Sequence, residues 1–168
     1  MSRQLPRPTV YLDGSTFRAA MSEGMRPRDR IALCRIAAMV SEDLLTFFAP
    51  AYMRAEIDRL TPAARRGHLR EYAALQILRA APAGWLDAEP SVDAAAQADY
   101  NVLLRIIGSE VDAAPLLRAR EAGARDAIAV ESSVLFERSR ELITELDLRV
   151  FLPADYLSRW STQLQLPK

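Results

Sequence analysis

The most strongly apolar stretch of the chain runs from Ile31 to Phe48 and reads IALCRIAAMVSEDLLTFF. On a helical wheel with about 100° per residue, Arg35 and Glu42 fall on one narrow polar stripe, and apolar side chains cover almost all of the rest. A helix that is apolar on most sides is normally enclosed by other elements. The pattern therefore predicts a central helix over about 28–48, around which the rest of the chain packs.

The residues that flank this stretch support the same prediction. Pro27 suits a first helical turn, where its missing N–H has no partner in any case, and the helix dipole favours Asp29 there. Pro50 disfavours a helical conformation at the residue before it, so the helix is expected to end there. A membrane-spanning helix is excluded, because Arg35 and Glu42 interrupt a run that would need about 20 apolar residues.

Helical periodicity recurs along most of the remaining chain, whereas strand-like alternation is almost absent. Shorter helices are expected on both sides of the central one, and further helices over about 61–80 and from Ser91 to Gly108. The longest pattern predicts a helix over about 116–146, with one apolar face formed by Leu117, Ala124, Ile128, Leu135, Leu142 and Leu146. Pro153 begins a final helix.

Two segments show no helical pattern. Residues 1–14 are predicted to form an extended arm, in which Thr9–Leu12 is a short extended segment closed by the turn pair at Asp13 and Gly14. No partner strand is evident for this segment, so no sheet is predicted, and Trp85 is expected in a loop. Together these patterns predict an all-α fold of six or seven helices packed around the central helix.

Composition narrows the class of protein. With 168 residues, of which 50% are hydrophobic, residues 1–168 are expected to form a single domain. The formal net charge is zero, which disfavours nucleic acid as a partner and gives no reason to expect a membrane surface. The amino terminus lacks the apolar region of a secretory signal, so we expect a cytoplasmic protein. Lys168 is the only lysine, and the wealth of arginine, alanine and proline indicates a GC-rich bacterial genome.

Residue types that carry chemistry are scarce. One histidine, His68, and one cysteine, Cys34, cannot assemble a zinc finger or a histidine-bridged di-iron site, so no cofactor is expected. A carboxylate-only magnesium or calcium site is left open, although no EF-hand spacing occurs. Nucleotide-binding glycine motifs and nucleophile elbows are also missing. Cys34 within an apolar helix is expected to be inert, and no catalytic residue is predicted.

The densest basic cluster consists of Arg59, Arg65, Arg66, His68 and Arg70. As a functional cluster it would bind a phosphate or another anion, or would position a helix-turn-helix on nucleic acid. As a structural feature it would be a solvated helix face, with acidic side chains nearby to compensate.

Two other features could bind a protein partner. Charges of alternating sign along the predicted 116–146 helix are typical of a solvated face or of the flanks of a helix–helix interface. The apolar seam of Ile128, Leu135 and Leu142 would pair with another chain, including a second copy, or would be buried within the monomer. Trp85 would be either an exposed anchor for a partner or a plug of the core.

These observations favour a non-enzymatic helical protein that acts through protein–protein contacts, as a bacterial adaptor, accessory subunit or regulator. The first alternative is a nucleic-acid-binding transcriptional regulator that uses the cluster from Arg59 to Arg70. The second is an all-α enzyme or small-molecule-binding protein with a pocket between helices, lined by Tyr72, Tyr100 or Tyr156.

Overall fold

The computed structural model describes residues 7–20, 24–58, 85–86 and 93–164. In this part of the chain, five parallel strands form a sheet in the order β3-β2-β1-β4-β5. The strands are β1 Thr9–Leu12, β2 Thr46–Pro50, β3 Trp85–Leu86, β4 Asp126–Ile128 and β5 Arg149–Phe151.

The central strand β1 is covered on both faces. Val10 pairs with Phe47 of β2 on one side and with Asp126 of β4 on the other. Val10, Tyr11 and Leu12 are each at most 1% exposed. A parallel strand that is buried on both faces forms a short continuous apolar run, and such a run lacks the alternation that marks half-exposed strands.

Eight helices connect and cover these strands in the described part of the chain, and none of them is long and apolar enough to cross a membrane. They are α1 Gly14–Ala20, α2 Pro27–Ser41, α3 Tyr52–Asp58, α4 Ala94–Ile107, α5 Glu110–Glu121, α6 Val134–Glu137, α7 Ser139–Leu146 and α8 Pro153–Leu164.

The helices form a layer on each face of the sheet, and each layer buries its own apolar core. One core contains Val10 and Leu12 together with residues of α1, α2, α3 and α8, among them Phe17, Leu33 and Met53. The other contains Tyr11 together with residues of α4, α5, α6 and α7. Successive residues of β1 therefore point into opposite cores, as they do in a sheet with helices on both faces.

Several helix ends lie where the sequence predicts them. Pro27 is the first residue of α2 and Pro153 the first residue of α8. Gly108 ends α4 in the left-handed conformation with φ of 75°, which glycine adopts without a steric penalty. The start of the same helix differs from the prediction, since its N-cap is Asp93 and not Ser91; the Asp93 carboxylate accepts a hydrogen bond of 3.0 Å from the amide of Ala95.

The predicted central helix over 28–48 is wrong. Helix α2 ends at Ser41, the chain reverses at Asp43 with φ of 64°, and the remaining apolar residues form strand β2. The helix is also not enclosed, since Ile31 is 61% exposed. A buried helix and a buried parallel strand that follow one another form one continuous apolar run in the sequence. The helical-wheel pattern therefore predicted a single helix for both elements.

The predicted helix over 116–146 is also wrong. Its first third belongs to α5, which begins at Glu110, and Gly123 has φ of 100°. Strand β4 follows, and after it come the short helices α6 and α7. The C-cap of α7 is Asp147, another residue with positive φ. The residues spaced by seven and four positions are all buried, but in two cores: Ile128 of β4 lies in the core with Val10, and the other five lie in the core with Tyr11.

The prediction of an all-α helical bundle is therefore wrong, and the fold is α/β. The supposed extended arm contains β1, the central strand, and the supposed loop at Trp85 contains β3, which pairs with Ala49 and Pro50 of β2. The predicted helix over 61–80 lies outside the described residues.

Candidate functional site at the carboxyl edge of the sheet

The order of the strands creates a crevice between β1 and β4. From β1 the chain continues to β2 and β3 on one side, and it then crosses to β4 and β5 on the other. The connections that follow β1 and β4 therefore lead toward opposite ends of the sheet and leave a crevice at the carboxyl ends of these two strands. Open parallel sheets bind ligands at such a position. The first residue after β1 is Asp13, and the segment after β4 ends at Ser133.

Asp13 is buried at this point, with 5% of its surface exposed. Its Oδ2 accepts hydrogen bonds from the Ser133 hydroxyl at 2.8 Å, from the Ser15 amide at 3.3 Å and from the Ser15 hydroxyl. Burial raises the pKa of Asp13 above its ordinary value, and the negative charge of Asp112 raises it further, while the serine hydrogen bonds lower it.

Two tyrosines, Tyr11 and Tyr52, interact electrostatically with both Asp13 and Asp112. The Tyr52 hydroxyl, on α3, donates a hydrogen bond of 2.7 Å to Oδ1 of Asp112, near the start of α5. The Tyr11 hydroxyl is fully buried and has no hydrogen-bond partner among the described residues. Burial raises the pKa of both tyrosines, and the charges of both aspartates raise it further. The four side chains therefore form one electrostatic cluster, which we call the Asp13–Asp112 cluster.

Gly14 allows α1 and α3 to lie close together at this cluster. A Cβ atom added at Gly14 would lie 2.6 Å from the Tyr52 hydroxyl and 3.1 Å from the Met53 sulfur. The start of α1 can approach α3 this closely only because residue 14 has no side chain. The Asp13-Gly14 pair, which the sequence predicts as a turn, thus ends a strand and begins a helix.

A cleft of about 550 Å³ lies beside Asp13 on the side of Ser15. Its charged residues are Arg18, Arg26, Asp29 and Glu131, with Ser132 between β4 and α6. Arg26 and Glu131 form an ion pair, and the Arg18 guanidinium lies 5.6 Å from the centre of the Tyr52 ring. The carboxylate of Asp29 accepts a hydrogen bond of 3.0 Å from the Ala154 amide at the start of α8. Two guanidinium groups and two carboxylates therefore border this cleft, which reaches Asp13 only through Ser15.

Among the described residues, no group of three or more histidine, cysteine, aspartate or glutamate side chains is placed to hold a metal ion. Mg²⁺ is commonly bound by only one or two carboxylates, and it keeps several water molecules in its coordination shell. Asp13 and Asp112 are the two carboxylates of the cluster, and each accepts a hydrogen bond from a neighbouring hydroxyl group.

The structure separates the residues that the sequence singled out. Arg59, Arg65, Arg66, His68 and Arg70 lie outside the described residues. Trp85 is in β3 at one end of the sheet order. The seam residues belong to three different elements and are all at most 1% exposed: Ile128 in β4, Leu135 in α6 and Leu142 in α7. The three seam residues do not belong to the Asp13–Asp112 cluster.

Sequence reasoning missed the residues of this cluster. One signal was available, because the apolar run Val10–Leu12 ends directly at Asp13 and is followed by a helix. A short buried strand that is followed by a polar residue and a helix is typical of a ligand site in an open α/β sheet. Tyr52 and Asp112, which are 60 residues apart, share no sequence signal with Asp13.

The pKa of Asp13 makes stability depend on pH. Because burial raises this pKa above 3.8, the folded state binds more protons than the unfolded state between the two pKa values. The free energy of unfolding of the wild type should therefore fall, relative to Asp13→Asn, as the pH rises from about 4 through the folded pKa of Asp13. Urea unfolding in EDTA from about pH 4 to about pH 8 measures this difference. A difference that does not change with pH would contradict the expectation.

Comparison of the chain with protein-family models, with curated proteins and with solved structures found no match.

Proposed function

We propose that this protein is a divalent-cation-dependent hydrolase of phosphoesters, in which Asp13 and Asp112 hold Mg²⁺ or Mn²⁺ at the carboxyl edge of the sheet. The observation that carries the proposal is the Asp13–Asp112 cluster. Burial and, to a smaller extent, the charge of Asp112 raise the pKa of the Asp13 carboxyl there, and the Tyr11 hydroxyl is fully buried and lacks a hydrogen-bond partner among the described residues.

A cation would remove the electrostatic cost of this arrangement. The charge of Asp112 disfavours ionisation of Asp13, whereas a divalent cation close to both would favour it. Because the bound form requires ionised carboxylates, cation binding should release protons and strengthen as the pH rises. The serine hydrogen bonds to Oδ2 hold the Asp13 carboxylate in one orientation, which is the role that outer partners of metal ligands commonly have.

The adjacent cleft suggests the class of substrate. Arg18 and Arg26 border it, and guanidinium groups bind phosphate oxygens through paired, charge-assisted hydrogen bonds. A divalent cation polarises a phosphoryl oxygen and lowers the pKa of a bound water molecule, which are the two contributions that phosphoester hydrolysis needs. Asp29 and Glu131 balance the two arginines in the same cleft, so the preference for an anionic phosphoester over a neutral substrate would come from the cation.

Thermal unfolding and hydrolysis together test this proposal. Mg²⁺ or Mn²⁺ should raise the melting temperature of the wild type by mass action, and Asp112→Asn should reduce that shift. The wild type should hydrolyse bis(4-nitrophenyl) phosphate in the presence of Mn²⁺ and not in EDTA. The proposal is contradicted if cations shift the wild type and Asp112→Asn equally, or if hydrolysis is insensitive to EDTA.

The roles predicted from the sequence remain predictions. The cluster from Arg59 to Arg70, on which nucleic-acid binding depends, lies outside the described residues. The prediction of protein–protein contacts depends in part on the charges along a single helix over 116–146, which the structure divides into α5, β4, α6 and α7, so such a role needs a different surface. One such surface lies at the opposite end of the sheet from β3.

A further inference from the structure

A groove of about 450 Å³ follows the outer side of β5, the last strand of the sheet. It lies between α7, β5 and α8. Its lining residues are Ser139, Arg140, Ile143, Arg149, Val150, Phe151 and Arg159. We call it the β5 groove, and none of its residues belongs to the Asp13–Asp112 cluster.

The β5 groove carries an excess of positive charge. Three arginines line it and no carboxylate does. The Arg149 side chain is neutralised, since its Nε donates a hydrogen bond of 2.7 Å to Asp126. Arg140 is exposed at one side, and the Arg159 guanidinium lies 5.1 Å from the centre of the Phe151 ring at the other. The chain as a whole has no net charge, so this local excess selects a ligand with carboxylates or other anionic groups.

The backbone of β5 also faces this groove. The Arg149 amide donates to the Arg125 carbonyl at 2.9 Å, and the Phe151 carbonyl accepts from the Ala129 amide at 3.0 Å. Backbone groups of successive strand residues point to opposite sides, so the N–H and C=O of Val150 point away from β4. No strand among the described residues pairs with β5 on that side. An open strand edge of this kind can pair with another extended chain.

Apolar side chains complete the surface. Ile143 is 44% exposed, and Val150 and Phe151 are half-buried beside it. Exposed apolar side chains next to an open strand edge match the alternating side chains of an added strand. A nucleic-acid strand would use the arginines but would gain little from Ile143 or from the backbone of Val150.

We propose that the β5 groove binds an extended, acidic segment of a partner protein by adding a strand to β5. The segment pairs with the backbone of Val150, places carboxylates near Arg140 and Arg159, and packs apolar side chains against Ile143 and Phe151. Charge complementarity identifies the partner as acidic, and the open edge identifies it as an extended peptide.

Fluorescence anisotropy with a labelled hexapeptide of alternating glutamate and valine tests the proposal on the full chain. The wild type should bind this peptide, and Arg140→Gln with Arg159→Gln should weaken binding by about tenfold or more. Arg28→Gln with Arg35→Gln removes the same charge from exposed positions of α2 and should leave binding unchanged. Binding should also persist in Asp13→Asn, since the β5 groove and the Asp13–Asp112 cluster are separate.

Two further probes separate strand addition from other modes of binding. The same hexapeptide with N-methyl groups on alternate amides, placed to remove the donors to Val150, should bind about tenfold or more weakly. A peptide of alternating lysine and valine should not bind. The proposal is overturned if the N-methylated peptide binds as well as its parent, if both double variants bind equally, or if the groove captures single-stranded DNA and not the acidic peptide.

Discussion

Replacement of Asp13 by asparagine is expected to lower the cation-dependent hydrolysis of bis(4-nitrophenyl) phosphate by about a thousandfold or more, which corresponds to about 4 kcal/mol of transition-state stabilisation. Asparagine keeps the shape of the side chain and can still accept the hydrogen bonds of Ser15 and Ser133. It lacks the negative charge that the cation needs. Initial rates at saturating Mn²⁺ measure the effect.

A matched control is available at Asp147, which is exposed and has φ of 50° at the end of α7. Asparagine tolerates this conformation, so Asp147→Asn should leave the rate unchanged. In EDTA, Asp13→Asn should be at least as stable as the wild type at neutral pH, because it removes a buried charge that Asp112 repels. A stable Asp13→Asn variant with full activity would contradict the role of Asp13.

Replacement of Val10 by aspartate is expected to abolish folding. Val10 is fully buried in the central strand, where its backbone pairs with two neighbouring strands. A buried, unpaired carboxylate at this position should lower the free energy of unfolding by more than about 5 kcal/mol, which is a large part of the stability of a typical domain. Circular dichroism and urea unfolding measure the loss.

The control for this experiment is Ile31→Asp in α2. Because Ile31 is 61% exposed, aspartate there should change the free energy of unfolding by no more than about 0.5 kcal/mol. An all-α fold with an extended amino-terminal arm and an enclosed central helix would give the opposite result. A folded Val10→Asp variant together with an unfolded Ile31→Asp variant would therefore reject the parallel sheet.

The ionised Asp13 carboxylate that the proposed chemistry requires lowers the stability of the fold. Burial of its carboxylate beside Asp112 raises its pKa, which means that the folded chain without a cation is less stable than it would be with a neutral side chain. Functional sites commonly retain such costs because the charged form is the active one. A divalent cation should therefore raise the free energy of unfolding of the wild type and should not raise that of Asp13→Asn.

Local signals in the sequence identified the ends of several helices. Proline at the first turn of α2 and of α8, and glycine after α4, act through φ angles and N–H groups of the residues themselves. These effects need no distant contact. The same local reasoning failed for β1, because a four-residue apolar run fits a buried strand and a piece of helix equally well.

The candidate site was hidden for a related reason. Its members come from β1, α3 and α5, and the nearest pair of these segments is separated by about 40 residues of sequence. The sequence contains Asp13 and Asp112 as two of many acidic residues, and nothing local distinguishes them. Their shared effect on the buried Tyr11 exists only after the sheet has formed.

By itself, the sequence determined that this chain has enough apolar residues for a core, and where α2 and α8 begin and α4 ends. Only the tertiary structure decided that Val10 lies between Phe47 and Asp126, and therefore that the fold is α/β. Parallel strands pair through backbone groups that every residue carries, and their partners are distant along the chain. Pairing of this kind leaves no periodic pattern in the sequence. The sheet and the site at its carboxyl edge could therefore be identified only from the folded structure.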